Sequence, residues 1–249
     1  MVFTLVLITL TTYAQSAKTA GAFQYQLHTK TTMLNCDLFY NGSESVFVVH
    51  APKFDTNTDT IKSNQEGSNR TIIRANINDG KDFALYKRYE NDLMVSRELI
   101  VNGEKAIVND SIPRLNWKLE SQKQQIGLYN CQKATATFRC ATYTVWFTTA
   151  IPLPIGPWKL GGLPGLIVEA TNENIGLTYK LIRVTYPVAI DTKYPIEPPQ
   201  TGEPIYSFAQ FGEIQRKELK KMEIYLKSMA GNPSSARFQA SLPECFDKQ

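Results

Sequence analysis

The fold of this chain is decided by residues 126–170, which read IGLYNCQKATATFRCATYTVWFTTAIPLPIGPWKLGGLPGLIVEA. Apolar and polar residues alternate from Tyr143 to Phe147, which is the period of a half-buried β-strand. A second β-like segment, Tyr129 to Phe138, precedes it, and the short polar turn Arg139-Cys140 joins the two. The sequence therefore predicts a β-hairpin at this point.

A proline segment follows the hairpin and cannot be a central strand. Residues 151–157 read IPLPIGP, and prolines lack the N–H group that a sheet requires. We expect this segment to cross the sheet or to lie at an edge. Pro164-Gly165 then fits the middle of a type II turn, in which glycine supplies a positive φ. The strand predicted from Leu166 to Ala170 is buried on at least one face.

Short β-like segments recur along the rest of the chain. One includes Phe23, Tyr25 and Leu27, which alternate with polar residues. The others are Val46–Val49, Thr71–Ile77, Phe83–Tyr89, Leu93–Ile107, Trp117–Ile126 and Leu177–Tyr186. The dipeptides typical of tight hairpin turns are Asn41-Gly42, Asp79-Gly80 and Asn102-Gly103. The pattern predicts a mainly β protein, with an antiparallel sheet that forms an incomplete barrel or a two-layer sandwich.

One long amphipathic helix is expected near the C-terminus, over residues 210–230. Apolar residues return every three to five positions from Phe211 to Met229. Glu213 and Lys217 are four apart with the acid first, which is the favourable order on a helix. Because surface helices usually bury such an apolar stripe, we expect this helix to pack on the sheet for most of its length.

The N-terminus predicts export. Residues 2–10 are an uncharged apolar run, and Thr12-Tyr13-Ala14 offers small residues where a signal peptidase cuts. The run is too short to span a bilayer, and a buried N-terminal strand is the alternative, since no basic residue precedes the run. We therefore assign residues 1–15 to a signal peptide and 16–249 to a single mostly β domain. Within that domain, the Pro-rich stretch 187–204 is interpreted as a surface linker.

The four cysteines are Cys36, Cys131, Cys140 and Cys245. In an exported chain an even number permits two disulfides, with three possible connectivities. Cys131 and Cys140 are close enough in sequence to face each other across a hairpin, which would leave Cys36 to pair with Cys245. Burial of one or more of them as free thiols is the alternative.

Composition and motifs argue against several function classes. The net charge is +4, and the basic residues are spread along the chain, whereas nucleic-acid binders cluster them on one face. His28 and His50 are the only histidines, and HExxH, Walker A and GxSxG motifs are absent. No catalytic residue, metal ligand or cofactor is therefore assigned. Scattered carboxylates such as Asp37, Glu44 and Glu169 keep an exported hydrolase as an alternative.

Aromatic residues near the proline segment are the candidate binding residues. Tyr129, Trp146 and Trp158 lie close together in sequence, and aromatic side chains on an open sheet can line an apolar groove. The leading hypothesis is a non-enzymatic envelope protein that binds an apolar or peptidic ligand, or an envelope protein partner. A structural or surface-interaction protein without a pocket is a further alternative.

The hexapeptide at positions 162–167 consists of Gly162, Leu163, Pro164, Gly165, Leu166 and Ile167. It resembles the motif for which the GLPGLI family of Bacteroidetes is named, and all six letters match. The hairpin and the proline segment also resemble that family, whereas Arg139-Cys140-Ala141 departs from its usual turn, a glycine flanked by arginines. The resemblance implies an uncharacterised exported protein, located in the periplasm, the cell envelope or outside a Gram-negative cell, and it implies no activity. Since glycine and proline carry conformation and no reactive atoms, the motif is interpreted as structural.

Overall fold

The computed structural model describes residues 20–51, 81–188, 196–200 and 202–229. These residues form twelve strands and one long helix. The strands are β1 (Ala20–His28), β2 (Met33–Tyr40), β3 (Glu44–Val49), β4 (Phe83–Arg88), β5 (Leu93–Leu99), β6 (Lys105–Ser111), β7 (Lys118–Ile126), β8 (Tyr129–Phe138), β9 (Ala141–Thr148), β10 (Leu166–Asn172), β11 (Leu177–Val188) and β12 (Ile205–Ser207). The helix α1 spans Phe208–Met229. The predicted fold class, mainly β with one helix near the C-terminus, is confirmed.

Several predicted features lie outside the described residues. They are the signal peptide at 1–15, the strand at 71–77, the turn at Asp79-Gly80, Cys245 and part of the linker at 187–204. The turns at Gly42 and Gly103 are present, and both glycines have the positive φ that tight turns require. β2 was not among the predicted strands.

The twelve strands belong to one open sheet in the order β12-β6-β5-β4-β3-β2-β1-β11-β10-β9-β8-β7. Neighbouring strands are antiparallel, except that the short β12 pairs in parallel with β6. A single antiparallel sheet that is not closed corresponds to the incomplete barrel, the first of the two predicted forms.

The sheet is strongly curved, because a short connector joins strands near its two edges. β6 is second and β7 twelfth in the sheet order, so a flat sheet would separate them by about 48 Å at ~4.8 Å per strand. The connector between β6 and β7, residues 112–117, can span at most about 25 Å. Curvature also brings Phe47 on β3 against Tyr179 on β11, with ring centroids 5.8 Å apart. The strands therefore surround a concave face.

The concave face is filled by the chain's own segment 149–165, between β9 and β10, which we call the plug. Its inward side chains, all buried in the main core cluster, are Ile151, Leu153, Ile155, Leu160 and Leu163. Leu153 N–H donates to the Ile151 carbonyl and Ile155 N–H to the Leu153 carbonyl, each at 2.8 Å. These are consecutive γ-turns, which suit the fixed φ of the intervening prolines. The prolines thus point outward while the aliphatic residues fill the sheet's interior.

Gly165 differs from the prediction of a type II turn. Its φ is not positive; in this region Gly162 has the positive φ, 85°. Gly165 is needed for another reason, since a Cβ atom there would lie 2.1 Å from the carbonyl oxygen of Thr148. A Pro-Gly pair suggests a turn, but sequence cannot reveal which backbone passes against the glycine. The predicted positive φ at Gly165 is therefore wrong.

Cys36 and Cys131 are buried free thiols, whereas Cys140 is disulfide-bonded. The predicted pairing of Cys131 with Cys140 is therefore wrong. Cys131 lies near the start of β8 and Cys140 in the turn after it, so about 23 Å of extended strand separates Cys131 from Phe138. A disulfide needs Cα atoms within about 7 Å. Cys36, the other predicted partner of Cys245, is enclosed in the core.

The helix α1 begins two residues earlier than predicted, because Ser207 caps it. The Ser207 hydroxyl accepts from the Gln210 N–H at 3.3 Å, and the Gln210 side chain accepts from the Ser207 N–H at 2.9 Å. This reciprocal pair is a capping box. The helix is not long and apolar enough over its described residues to cross a membrane.

The buried side chains among the described residues of the helix all lie in its first two turns. Among its described side chains, Phe211 and Gln215 are buried, whereas Ile224 and Tyr225 are 61% and 55% exposed. The Gln215 amide donates to the Leu99 carbonyl at 2.8 Å and accepts from the Val101 N–H at 2.9 Å. The expectation of packing along most of the helix is wrong for these residues, because α1 contacts the sheet mainly through β12 and β6 at its edge.

Candidate ligand-binding cavities

The plug leaves two cavities on the concave side, and the consecutive residues Trp158 and Lys159 each line one of them. Trp158 has a φ of 53°, a left-handed conformation that costs a non-glycine residue roughly 1–2 kcal/mol. Backbone strain of this kind is often found at functional sites. The cavity beside Trp158 has a volume of about 200 Å³, and the cavity beside Lys159 about 350 Å³. We call them the aromatic pocket and the lysine cavity.

The aromatic pocket is built from strands that are distant in sequence and meet because the sheet is curved. Its apolar wall includes Phe47, Phe83, Leu85, Tyr143, Trp158 and Tyr179. The Tyr143 and Trp158 rings lie 5.9 Å apart, within the usual range for interacting aromatic pairs. The pocket is therefore a preformed space for an apolar group.

The polar groups at the pocket are already held in place. The Arg97 side chain is fully buried, and its Nε and Nη2 atoms donate to Glu203 Oε1 at 2.9 and 2.7 Å. Glu98 Oε1 accepts from the Ser96 hydroxyl at 2.7 Å and pairs with Lys159 Nζ at 3.1 Å. Fixed polar groups beside an apolar wall are the usual composition of a ligand pocket.

The lysine cavity contains two buried ammonium side chains. Lys87 on β4 is only 4% exposed, and its Nζ donates to the Leu160 carbonyl at 3.4 Å. Burial, with a contribution from the charge of Lys159, lowers the pKa of Lys87 to about 7. Lys159 is 3% exposed, and its Nζ lies 5.1 Å from the centre of the Trp158 ring. Buried cations with a shifted pKa are uncommon and often mark functional sites.

The lysine cavity adjoins a wider cleft of about 550 Å³ beside the start of α1. The two share Asp92 and the connector residues Ile112, Pro113, Arg114 and Leu115. In the cleft Arg139 forms an ion pair with Asp110 and lies over the Phe208 ring at 3.4 Å. The connector between the sheet edges thus separates the buried lysines from the cleft.

Of the three candidate binding residues, Trp158 lines the aromatic pocket, whereas Tyr129 and Trp146 line neither this pocket nor the lysine cavity nor the cleft beside α1. Trp146 lies on β9 between the buried Val145 and Phe147, on the opposite face of the strand. Tyr129 is half-buried at the start of β8 and packs against the margin of the core. That these residues bind a ligand stays a prediction.

The three scattered carboxylates lie in three different networks. Asp37 accepts from Gln24 at 3.0 Å and contacts His50 Nε2 at 2.7 Å. Glu44 contacts the Tyr86 hydroxyl and Arg88, and Glu169 lies opposite Trp146 and Lys180. They do not converge on one cleft. Among the described residues, no group of three or more His, Cys, Asp or Glu residues could hold a metal ion.

Lys87 and Lys159 are the site residues that the sequence reasoning missed. A signal for Lys87 was present, since strand alternation places it on the same face as Phe83 and Leu85. If the face of β4 that carries Phe83 and Leu85 points into the interior, then Lys87 on the same face must be a buried charge. Lys159 follows an irregular proline segment, so no periodicity indicates its burial.

No family model matches this chain, and no curated protein matches it. Among solved structures it is similar to PNGF-II, with a TM-score of 0.50 and 16% identity over 80% of this chain and 33% of that chain. The chain is similar to the same degree to PNGF-II in a second crystal form, with a TM-score of 0.50 and 15% identity. This chain therefore corresponds to about a third of that protein's length, and the likeness shows the fold alone. The MucA/MucB complex of Pseudomonas aeruginosa matches with 7% identity over 71% of this chain and 54% of that chain. Its TM-score of 0.34 is too low to carry a conclusion.

Proposed function

We propose that this chain is an exported envelope protein of the GLPGLI family that binds a peptidic ligand through one bulky apolar side chain, without converting it chemically. The observation that carries the proposal is the aromatic pocket around Trp158. It is open to solvent and lined by aromatic rings from five separate parts of the chain.

The size of the pocket supports a ligand that inserts one group. Its volume is about 200 Å³, below the ~300–1,000 Å³ of sites that enclose a whole drug-sized molecule. The rest of the ligand would remain outside, as the main chain of an extended peptide does when one side chain is inserted. Apolar side chains gain about 25 cal/mol per Å² of surface removed from water.

Preorganisation also supports binding. The guanidinium of Arg97 and the carboxylate of Glu98 are each held by a partner at the pocket, so a ligand need not order them. A site that is already ordered avoids part of the entropy loss that weakens association.

Export and family membership are supported by separate features. Residues 2–10 and 12–14 have the pattern of a signal peptide, and the hexapeptide at 162–167 matches the motif in every letter. The disulfide at Cys140 is compatible with an oxidising compartment outside the cytoplasm.

The proposal is tested by NMR titration of the ¹⁵N-labelled protein with two peptides, acetyl-Gly-Phe-Gly-amide and acetyl-Gly-Ser-Gly-amide. We expect the phenylalanine peptide to shift the indole N–H resonance of Trp158 and the serine peptide to leave it unchanged. Val49→Phe should block binding, because Val49 lines the pocket. Val48→Phe is the matched control, since Val48 lies on the opposite face of β3. Equal responses to both peptides, or unchanged binding by the Val49 variant, would contradict the proposal.

A structural or surface-interaction role is the second candidate, and the plug favours it because it fills most of the concave face. In that case neither peptide should perturb Trp158. The same titration therefore separates the two functions.

A further inference from the structure

The buried charges around the lysine cavity do not balance. Lys159 pairs with Glu98 at 3.1 Å, so these two groups neutralise each other. Lys87 forms no ion pair with any carboxylate of the described residues, and its one hydrogen-bond acceptor is the Leu160 carbonyl at 3.4 Å. When Lys87 is protonated, the three groups carry a net charge of one positive unit.

An ammonium group without a counter-ion is costly in this position. Burial removes its hydration, and an ammonium has three donors to satisfy. Such a group is stabilised by an anion that enters beside it and accepts its hydrogen bonds. Space for that anion exists, because Lys87 and Lys159 both line a cavity of about 350 Å³.

We propose that the lysine cavity is a binding site for a small organic carboxylate, whose oxygens pair with the ammonium group of Lys87 beside the Lys159–Glu98 ion pair. One carboxylate carries the single negative charge that the cluster lacks, which favours it over a phosphate dianion. The backbone at Gly161 and Gly162 and the aliphatic side chains of Ile112 and Leu115 also line the cavity. The side chains of Ile112 and Leu115 offer an apolar surface to the carbon skeleton of the ligand. This site lies in a different cavity from the aromatic pocket, although the Lys159–Glu98 pair lies beside both, and it does not depend on the proposed peptide binding.

The site has a characteristic pH dependence. Only the protonated Lys87 pairs with a carboxylate, and burial lowers the pKa of this side chain to about 7. The protonated fraction falls from about 0.9 at pH 6 to about 0.1 at pH 8, and apparent affinity scales with the competent fraction. The charged and titratable groups nearby are Lys159, Glu98, Tyr89, Asp92 and Arg114.

The experiment is a titration of the exported chain with sodium propionate at pH 6 and pH 8, at constant ionic strength balanced with sodium chloride. Binding is followed by the NMR resonances of the lysine side-chain carbons. We expect saturable binding at pH 6 that becomes about tenfold weaker at pH 8. At saturation the pKa of Lys87 should rise, since the carboxylate stabilises its charged form.

Lys87→Met should abolish propionate binding while keeping nearly the same side-chain volume. Lys118→Met is the matched control, because Lys118 is exposed on the edge strand β7 and its loss should leave binding unchanged. Val49→Phe, which blocks the aromatic pocket, should also bind propionate normally, so that failure of one proposal does not imply failure of the other.

Three results would overturn the carboxylate site. They are the same affinity at both pH values in the unmodified protein, unchanged affinity in Lys87→Met, and saturable binding of inorganic phosphate in place of propionate. The first result needs no variant, so it decides the question even if Lys87→Met does not fold.

Discussion

The hydroxyl of Tyr25 on β1 donates a hydrogen bond of 2.7 Å to the carbonyl oxygen of Ile167 on β10. The two residues are 142 positions apart in the chain, and β11 lies between their strands. The pairing of β10 with β9 shifts register between Ile167 and Glu169, and such a bulge disrupts the local ladder. Tyr25 satisfies a carbonyl group at the irregularity and links the hexapeptide to β1 across the intervening strand β11.

Tyr25→Phe should lower the free energy of unfolding by about 1–3 kcal/mol, because the Ile167 carbonyl would be left buried without this donor. Chemical denaturation measures the loss. The matched control is Tyr40→Phe, which removes a solvent-exposed hydrogen bond to the Gly42 carbonyl and should cost much less. Equal losses of unfolding free energy for both variants would show that the buried Tyr25 hydrogen bond stabilises the protein no more than the exposed Tyr40 hydrogen bond does.

Gly165→Ala should destabilise the protein more than Gly162→Ala does. An alanine Cβ at 165 would lie 2.1 Å from the Thr148 carbonyl oxygen, so the backbone must move, whereas at 162 no atom lies within 4 Å. Gly162→Ala should cost about 1 kcal/mol for its left-handed φ alone. Thermal or chemical unfolding of the two variants measures which loses more stability. A larger loss in Gly162→Ala would show that the close contact between position 165 and the Thr148 carbonyl does not determine the loss.

Phe211→Ala should cost about 3–5 kcal/mol, as expected for a buried aromatic side chain, because Phe211 is 3% exposed against β6 residues. Leu219→Ala should cost distinctly less, since Leu219 is only half-buried. Denaturant unfolding of both variants tests whether the helix is held by its first two turns. A larger loss at Leu219 would mean that further packing partners hold the rest of the helix.

His50 should stabilise the protein at acidic pH. Partial burial opposes its charge, but hydrogen bonds to Asp37 and Asp82 outweigh this and raise the pKa of His50 above its ordinary value. A raised folded-state pKa means that the contribution is fully present below the unfolded pKa of about 6.5 and is lost as pH rises through the folded value.

His50→Gln should therefore reduce the unfolding free energy more at pH 6 than at pH 9. Denaturant titrations at the two pH values check this, and His28→Gln, which removes the chain's other histidine, is the control. The same loss at both pH values would show that the two aspartates do not favour the charged ring.

The sequence by itself predicted the elements whose signals are local. Alternation in Phe23, Tyr25 and Leu27 places all three in the core, because side chains of a strand point alternately to its two faces. Asn-Gly pairs marked turns since they tolerate positive φ. The prolines of residues 151–157 excluded a central strand because they lack a donor, and this segment does lie across the concave face.

Tertiary structure alone decided what those elements meet. A glycine is required at position 165 because the carbonyl of Thr148, 17 positions earlier, leaves no room for a Cβ atom. The length of β8 excludes the pairing of Cys131 with Cys140. Whether Lys87 is buried depends on which segment fills the concave face. Trp158 lines a pocket with Phe47 and Tyr179 only because the sheet curves. Alternation specifies the two faces of a strand. The curvature of the sheet and the position of the plug result instead from packing among residues far apart in the chain, and local sequence patterns do not encode those contacts.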